Sequence, residues 1–360
     1  MTVRLRSVLD TIPVYRPGES PDECGPRNAI KLSSNESPWE PPAAVVRAIE
    51  KSALSVNRYP DYYEQDLCRE LAGVLGVDAS CVCVDNGSGT LLQDVVRIVC
   101  DQGDNVVYCT PTFAAYEIDI KLAGAIPKTV PLDETYSYAP QAMIDAVDDK
   151  TRMVLVCNPN NPTGTYLTAD VLDAFVDVLP DECLVVIDEA YHDFERVEPQ
   201  DSSLGLVVAH DNVLLLRTFS KAFGLAGIRV GYCIGSSYLI DAINKTVAEF
   251  SVSSPAQAAA RACLSPETLT EIEARVATLV DTRERFQKGL KNAGIDFIPS
   301  SSNFVMLPRP NAMETFELLK RDGIITRPFS APEGIRITIG TEEQMARVAQ
   351  CLGFELPEAE

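Results

Sequence analysis

Val213-Leu-Leu-Leu-Arg-Thr-Phe-Ser-Lys-Ala-Phe-Gly-Leu-Ala-Gly-Ile-Arg-Val-Gly231 sets an apolar run directly before a turn that carries a lysine. A second apolar run, Val230–Ile234, follows at once. A strand that is apolar throughout belongs in a parallel sheet covered on both faces. The same texture recurs upstream at Cys81–Val84, Asn105–Cys109, Met153–Cys157 and Leu184–Asp188. Between these runs, helical patterning lies near 63–75, 89–101, 112–122, 168–179 and 237–249. Such alternation specifies an α/β fold, a mostly parallel sheet sandwiched by helices.

Downstream the texture changes. A long helical pattern covers about 266–293, with Pro266 at its start and Gly294 past its end, as helix termini prefer. It leads into a smaller C-terminal α+β domain with strands at Asn303–Leu307 and Arg336–Gly340. The last helix opens with Thr341 and Gln344 at capping-box spacing. The first 40 residues, rich in Pro, Gly and Ser, read as an extended arm. The expected division is therefore an arm (1–40) contributing to the small domain and a dimer contact, a large domain (41–265) and a small domain (266–360).

Composition narrows the function. The chain has 31 Lys plus Arg against 52 Asp plus Glu, a formal charge of −21. Nucleic acid and anionic membranes both demand a basic face, so neither is an expected partner. The start, MTVRLRSVLDTIPV, lacks the apolar core of a signal peptide. Eleven cysteines make an odd count for a disulfide framework, and most sit inside apolar runs (Cys81, Cys83, Cys109, Cys157, Cys183, Cys233), where Cys acts as a small hydrophobe. No CxxC pair occurs, and the only histidines are His192 and His210. No metal site is expected, and a reducing cytoplasm is the expected location.

Four segments carry candidate chemistry, each at the end of a strand. Lys221 stands among small and apolar residues, with Arg229 eight positions on. Such surroundings disfavour the ammonium form and free the amine for Schiff-base chemistry, although a lone lysine after a strand is ordinarily a solvated one. Asp188 ends Leu184–Asp188 and would point into the crevice where α/β sheets bind ligands, or else cap a helix. Cys157-Asn-Pro-Asn-Asn-Pro-Thr-Gly164 is a rigid turn whose Asn161 offers a donor. Asp85-Asn-Gly-Ser-Gly-Thr90 precedes a helix, the arrangement of an anion site, although most such glycine clusters are only turns.

The motifs NPNNPTG (158–164), DEAY (188–191) and RTFSKAFGLAGIRVGY (217–232) resemble those of fold-type I pyridoxal-phosphate aminotransferases. The histidinol-phosphate aminotransferase family, with its aromatic amino acid relatives, is the particular likeness. KLSSNESPWEP (31–41), NRYPD (57–61), PTFAAY (111–116), SNFV (302–305) and RITIGT (336–341) extend the likeness across nearly the whole chain. The resemblance implies pyridoxal 5′-phosphate as cofactor, held on Lys221, which also shuttles the proton. Asp188 would pair with the pyridine nitrogen, Asn161 and Tyr191 with the 3′ oxygen, and Tyr116 would stack on the ring. Ser88, Gly89, Thr90, Ser220 and Arg229 would hold the phosphate, with Tyr59 from the second subunit of a homodimer. Arg336 would grip the substrate carboxylate, with Asn35, Arg327 and Tyr15 as further substrate contacts.

The implied reaction is ping-pong transfer of an amino group between a small-molecule donor and a 2-oxo acid, 2-oxoglutarate serving as acceptor. Gly87-Ser-Gly-Thr90 stands where histidinol-phosphate enzymes commonly read G-S-D-E, and Arg327–Arg336 is short for that subfamily. Both departures are similar to the aromatic amino acid enzymes, so histidinol phosphate and an aromatic amino acid both remain open as donors. A lyase or decarboxylase would use the same Lys221 and Asp188. A non-catalytic regulator would carry a DNA-binding module and a basic face, which this sequence lacks.

Overall fold

In the computed structural model, which describes residues 3–14, 18–19 and 29–358, the short strand β1 (Ile30–Lys31) pairs outside the main sheet. That sheet is made of β2 (Val82–Asp85), β3 (Asn105–Thr110), β4 (Ile126–Pro131), β5 (Thr151–Cys157), β6 (Leu184–Asp188), β7 (Val213–Thr218) and β8 (Gly231–Ile234). Their order is β2-β8-β7-β6-β5-β3-β4. β8 runs antiparallel to both neighbours, and every other pairing is parallel. β6 and β7 are buried at every position, as unbroken apolar runs require when helices cover both faces.

Helices α1 (Ala43–Ser52), α2 (Gln65–Leu75), α3 (Ser88–Val99), α4 (Ala115–Ala123), α5 (Pro140–Ala146), α6 (Ala169–Val176), α7 (Leu204–Ala209), α8 (Ser237–Ile243) and α9 (Ser254–Cys263) connect and cover these strands. α3 shows why they dock. Its Leu91, Leu92, Val95 and Val96 recur at helical spacing, and all are buried.

The chain passes from β3 out to the edge strand β4 and returns to β5 on the other side of β3. Strand order therefore reverses between β3 and β5, and α/β sheets bind ligands beyond the carboxyl ends of strands at such a point.

The long helix α10 (Pro266–Asn292) follows, and Ser265 caps it by accepting from the Thr268 N–H. Beyond it come β9 (Phe304–Pro308), α11 (Ala312–Arg321), β10 (Ile324–Ile325), β11 (Arg327–Ser330), β12 (Glu333–Thr338) and α12 (Glu342–Cys351). β11-β12-β9 form an antiparallel sheet. The capping box on α12 is present, Thr341 and Gln344 each accepting from the other's backbone N–H. The N-terminal segment joins this part of the fold: β1 pairs in parallel with β10, and Thr338 N–H donates to Leu32 O at 3.0 Å.

Several boundaries differ from the sequence expectation. The helix expected over 237–249 stops at Ile243, and the strand expected at Arg336–Gly340 covers Glu333–Thr338. Cys81 lies in a short 3-10 turn before β2 rather than in the strand. The ten cysteines among the described residues are all unbridged. Among the described residues no helix is long and apolar enough to cross a membrane.

Candidate active site

The carboxyl ends of β2, β3, β5, β6 and β7 deliver their loops to one cavity of about 340 Å³. Ser88, Thr112, Phe113, Asn161, Asp188, Tyr191, Ser220 and Lys221 all line it. The antiparallel sheet adds Arg327, Phe329 and Arg336 from β11 and β12, and the segment after β1 adds Ser34, Asn35 and Glu36.

Lys221 Nζ donates to the Ser34 carbonyl at 3.1 Å and lies 5.7 Å from the centre of the Tyr191 ring. Burial pushes its ammonium down to about 8, and the nearby guanidinium of Arg336 pushes the same way, followed by that of Arg229. Glu36 and Asp188 work against them. The solvated-lysine alternative therefore falls, because Lys221 lines the cavity with its amine bonded to Ser34 and its ammonium form disfavoured relative to a lysine in water.

Asp188 closes β6 with its carboxylate buried. Oδ2 accepts from the Tyr116 hydroxyl at 2.6 Å, and Oδ1 accepts from the Ala190 N–H at 3.1 Å. Desolvation raises its pKa, and these two donors counter part of that rise. A buried carboxylate with donors arranged around it is ready to meet a cationic ring nitrogen.

Tyr116 corrects an expectation. It is completely buried in the first turn of α4, outside the cavity lining, and its hydroxyl serves Asp188. A ring held there has no open face to stack on a ligand. From the same motif it is Phe113, in the turn before α4, that lines the cavity.

Asn161, Tyr191, Asn35 and Arg336 form one buried network. Tyr191 OH accepts from Asn35 Nδ2 at 2.9 Å and from Asn161 Nδ2 at 3.4 Å. Arg336 donates to Asn161 Oδ1 through Nη1 and to the Ser33 carbonyl at 2.7 Å through Nη2. Arg336 is thus no surface strand residue. Asn35 itself is fixed by Thr338, which accepts from its N–H at 3.0 Å.

An anion cradle forms where α3 begins. Ser88 and Gly89 open the helix, and first-turn N–H groups have no partner within their helix. Gly87 precedes them at φ +96°, a conformation that suits glycine, and a Cβ there would lie 2.6 Å from Arg229 Nη2. Ser220 Oγ accepts from Thr218 at 3.0 Å and from Arg229 Nη1 at 3.4 Å, so the guanidinium faces the same point. Thr90 departs from its expected place. Its hydroxyl turns back to the Asn86 carbonyl at 3.1 Å, just ahead of the helix, and it does not line the cavity.

The other expected residues divide. Arg327 lines the cavity, whereas Tyr15 lies outside the described residues. Tyr59 is 80% exposed, its ring stacked on Phe250 at 4.3 Å, and does not reach the cavity of its own chain. Neither His192 nor His210 lines the cavity. Among the described residues no cluster of three or more His, Cys, Asp or Glu side chains could hold a metal. An amine, a buried carboxylate and a helix-start anion cradle together suit a cationic ring bearing an aldehyde and a phosphate, the parts of pyridoxal phosphate.

A family model described as aminotransferase class I and II matches residues 27–352. An aromatic amino acid aminotransferase of Mycolicibacterium paratuberculosis is 44% identical over 343 residues, covering 94% of each chain. One from Mycobacterium tuberculosis is 42% identical over 347 residues, covering 96% of each. Among solved structures, a histidinol-phosphate aminotransferase from Sinorhizobium meliloti in complex with pyridoxal-5′-phosphate superposes with TM-score 0.88 at 26% identity, covering 98% of this chain and 97% of that one.

Proposed function

The chain belongs to the class I and II aminotransferases, transaminases that use pyridoxal 5′-phosphate, and from that premise we propose that it moves the amino group of an aromatic L-amino acid to 2-oxoglutarate. The observation that carries the donor assignment is the cavity wall itself. Phe113 and Phe329 line the same cavity as a buried arginine, Arg336, so an apolar side chain and a carboxylate find their partners in one space. Relatives named for aromatic substrates, identical at more than two positions in five, support the same reading.

When bound, the cofactor supplies an electron sink for the pair left behind when a substrate Cα loses its proton. The protein supplies position and proton transfer. Lys221 would carry the cofactor between turnovers, and its Nζ, once released, would take the proton from the substrate Cα and return it elsewhere. An amine with pKa about 8 is suited to both directions. Asp188 would keep the ring nitrogen protonated, Tyr116 and the Ala190 N–H holding that carboxylate in place. Asn161 Nδ2 and Tyr191 OH would bind the phenolic oxygen. Ser88, Gly89, Ser220 and Arg229 would bind the phosphate, with Tyr59 of the partner subunit completing the set. Arg336 would orient the substrate by a bidentate carboxylate pair, with Asn35 behind it. Two half-reactions then alternate in a ping-pong cycle.

A homodimer in the cytoplasm, divided near residues 40 and 265, completes the reading. One observation favours histidinol phosphate instead: Arg327 sets a further cation in the cavity. Measuring kcat/KM for phenylalanine, tyrosine and histidinol phosphate with 2-oxoglutarate separates the two. A preference for histidinol phosphate would overturn the aromatic assignment.

A further inference from the structure

We propose that Phe329 determines amino-donor specificity, its ring being the surface against which an aromatic side chain packs once the donor's carboxylate is on Arg336. This rests on the aromatic reading of the site and names the residue that enforces it.

In the β11–β12 pair, Arg327 faces Arg336 and Phe329 faces Gly334. Directly opposed residues of an antiparallel pair project on the same face. Arg327, Phe329 and Arg336 accordingly meet at the cavity, and Gly334 offers no side chain to compete with the ring. The Arg336 guanidinium carbon lies 5.4 Å from the Phe329 ring centre and 5.2 Å from that of Phe304. Phe304 is completely buried and sits edge-on to Tyr191 at 5.1 Å. Tyr191, Phe304, Arg336 and Phe329 thus form a continuous series. Phe329 is its outer end, half-buried and in contact with the cavity.

A carboxylate paired with Arg336 fixes where the substrate Cα can lie, and the side chain leaves Cα beside the ring that covers the same guanidinium. The carboxylate contact with Arg336 does not select among donors, because every amino acid carries that carboxylate. A ring does select. An aromatic pair in offset or edge contact contributes about two- to twelvefold in affinity beyond the area it buries. A dicarboxylate draws no such gain from Phe329.

Phe329→Leu keeps an apolar wall and removes the ring. The holoenzyme is titrated with two unreactive acids, 3-phenylpropanoate and glutarate, binding being read from the cofactor absorbance. The expected result is a loss of about two- to twelvefold for 3-phenylpropanoate, less than twofold for glutarate, and recovery in Phe329→Tyr. The ratio of kcat/KM for phenylalanine over glutamate should fall in parallel. Equal losses for both acids would mean that Phe329 only braces Arg336, and no loss for either would mean that no side chain packs on it. Both results overturn the proposal. Binding needs no turnover, so a wild-type holoenzyme that transferred no amino group would refute the functional reading while the titration still decided the role of Phe329.

Discussion

Replacing Tyr116 by Phe removes one atom from the centre of the site and leaves the ring packing in place. That atom donates to Asp188 Oδ2 at 2.6 Å, and donor and acceptor are both buried. A hydrogen bond to a charged group is worth about 1.5–3 kcal/mol, so the carboxylate form of Asp188 loses stabilisation of that order. Burial already raises the pKa of Asp188, and losing this donor raises it further. The anionic form, the one that attracts a ring N–H⁺, then disappears at a higher pH than in the wild type as pH falls. Cofactor affinity should drop roughly tenfold to a hundredfold near neutrality, and the deficit should shrink as pH rises. Titrating the apoprotein with pyridoxal phosphate from acid to alkaline pH measures both effects, with thermal unfolding as a control for packing. An affinity and a pH profile unchanged from wild type would refute the assignment of Tyr116 to Asp188.

Three further outcomes are expected. Borohydride reduction followed by peptide mapping should place the cofactor on Lys221, and a label on another lysine would remove that residue from its role. Asp188→Asn, measured at saturating cofactor, should slow proton removal from Cα by orders of magnitude, because an amide cannot stabilise the ring cation; single-turnover spectra check this. Tyr59→Phe should weaken cofactor retention. A hybrid dimer of Tyr59→Phe with Lys221→Ala should regain it at the site that combines an intact lysine with an intact tyrosine in trans, which equilibrium dialysis of the isolated hybrid decides.

The parallel core and its ligand-bearing loops were legible because buried parallel strands are written as unbroken apolar runs. Each loop then follows directly, as Asp188 follows Leu184-Val-Val-Ile. Edge strands hid. β4 reads Ile-Pro-Lys-Thr-Val-Pro and β11 reads Arg-Pro-Phe-Ser, and both stand at sheet edges, where proline is tolerated and one side needs no partner. Missing β11 also hid Phe329, since nothing in a loop reading tells which way that ring faces. Phe113 rather than Tyr116 lines the cavity for a similar reason. They stand three residues apart in one motif, and only the start of α4 at Ala115 turns the tyrosine inward and leaves the phenylalanine at the cavity. Asn35 was found through its motif, but its bond to Tyr191 spans 156 residues and depends on how the N-terminal segment joins β10 and β12.

Amino-group transfer from an aromatic donor is decided by a single half-reaction. The holoenzyme is mixed with L-phenylalanine in the absence of any oxo acid, while cofactor absorbance and phenylpyruvate are followed together. One phenylpyruvate per active site, with the cofactor left in its amine form and restored by 2-oxoglutarate, is the predicted result. Release of ammonia or carbon dioxide would contradict it, as would no reaction with phenylalanine alongside rapid reaction with histidinol phosphate.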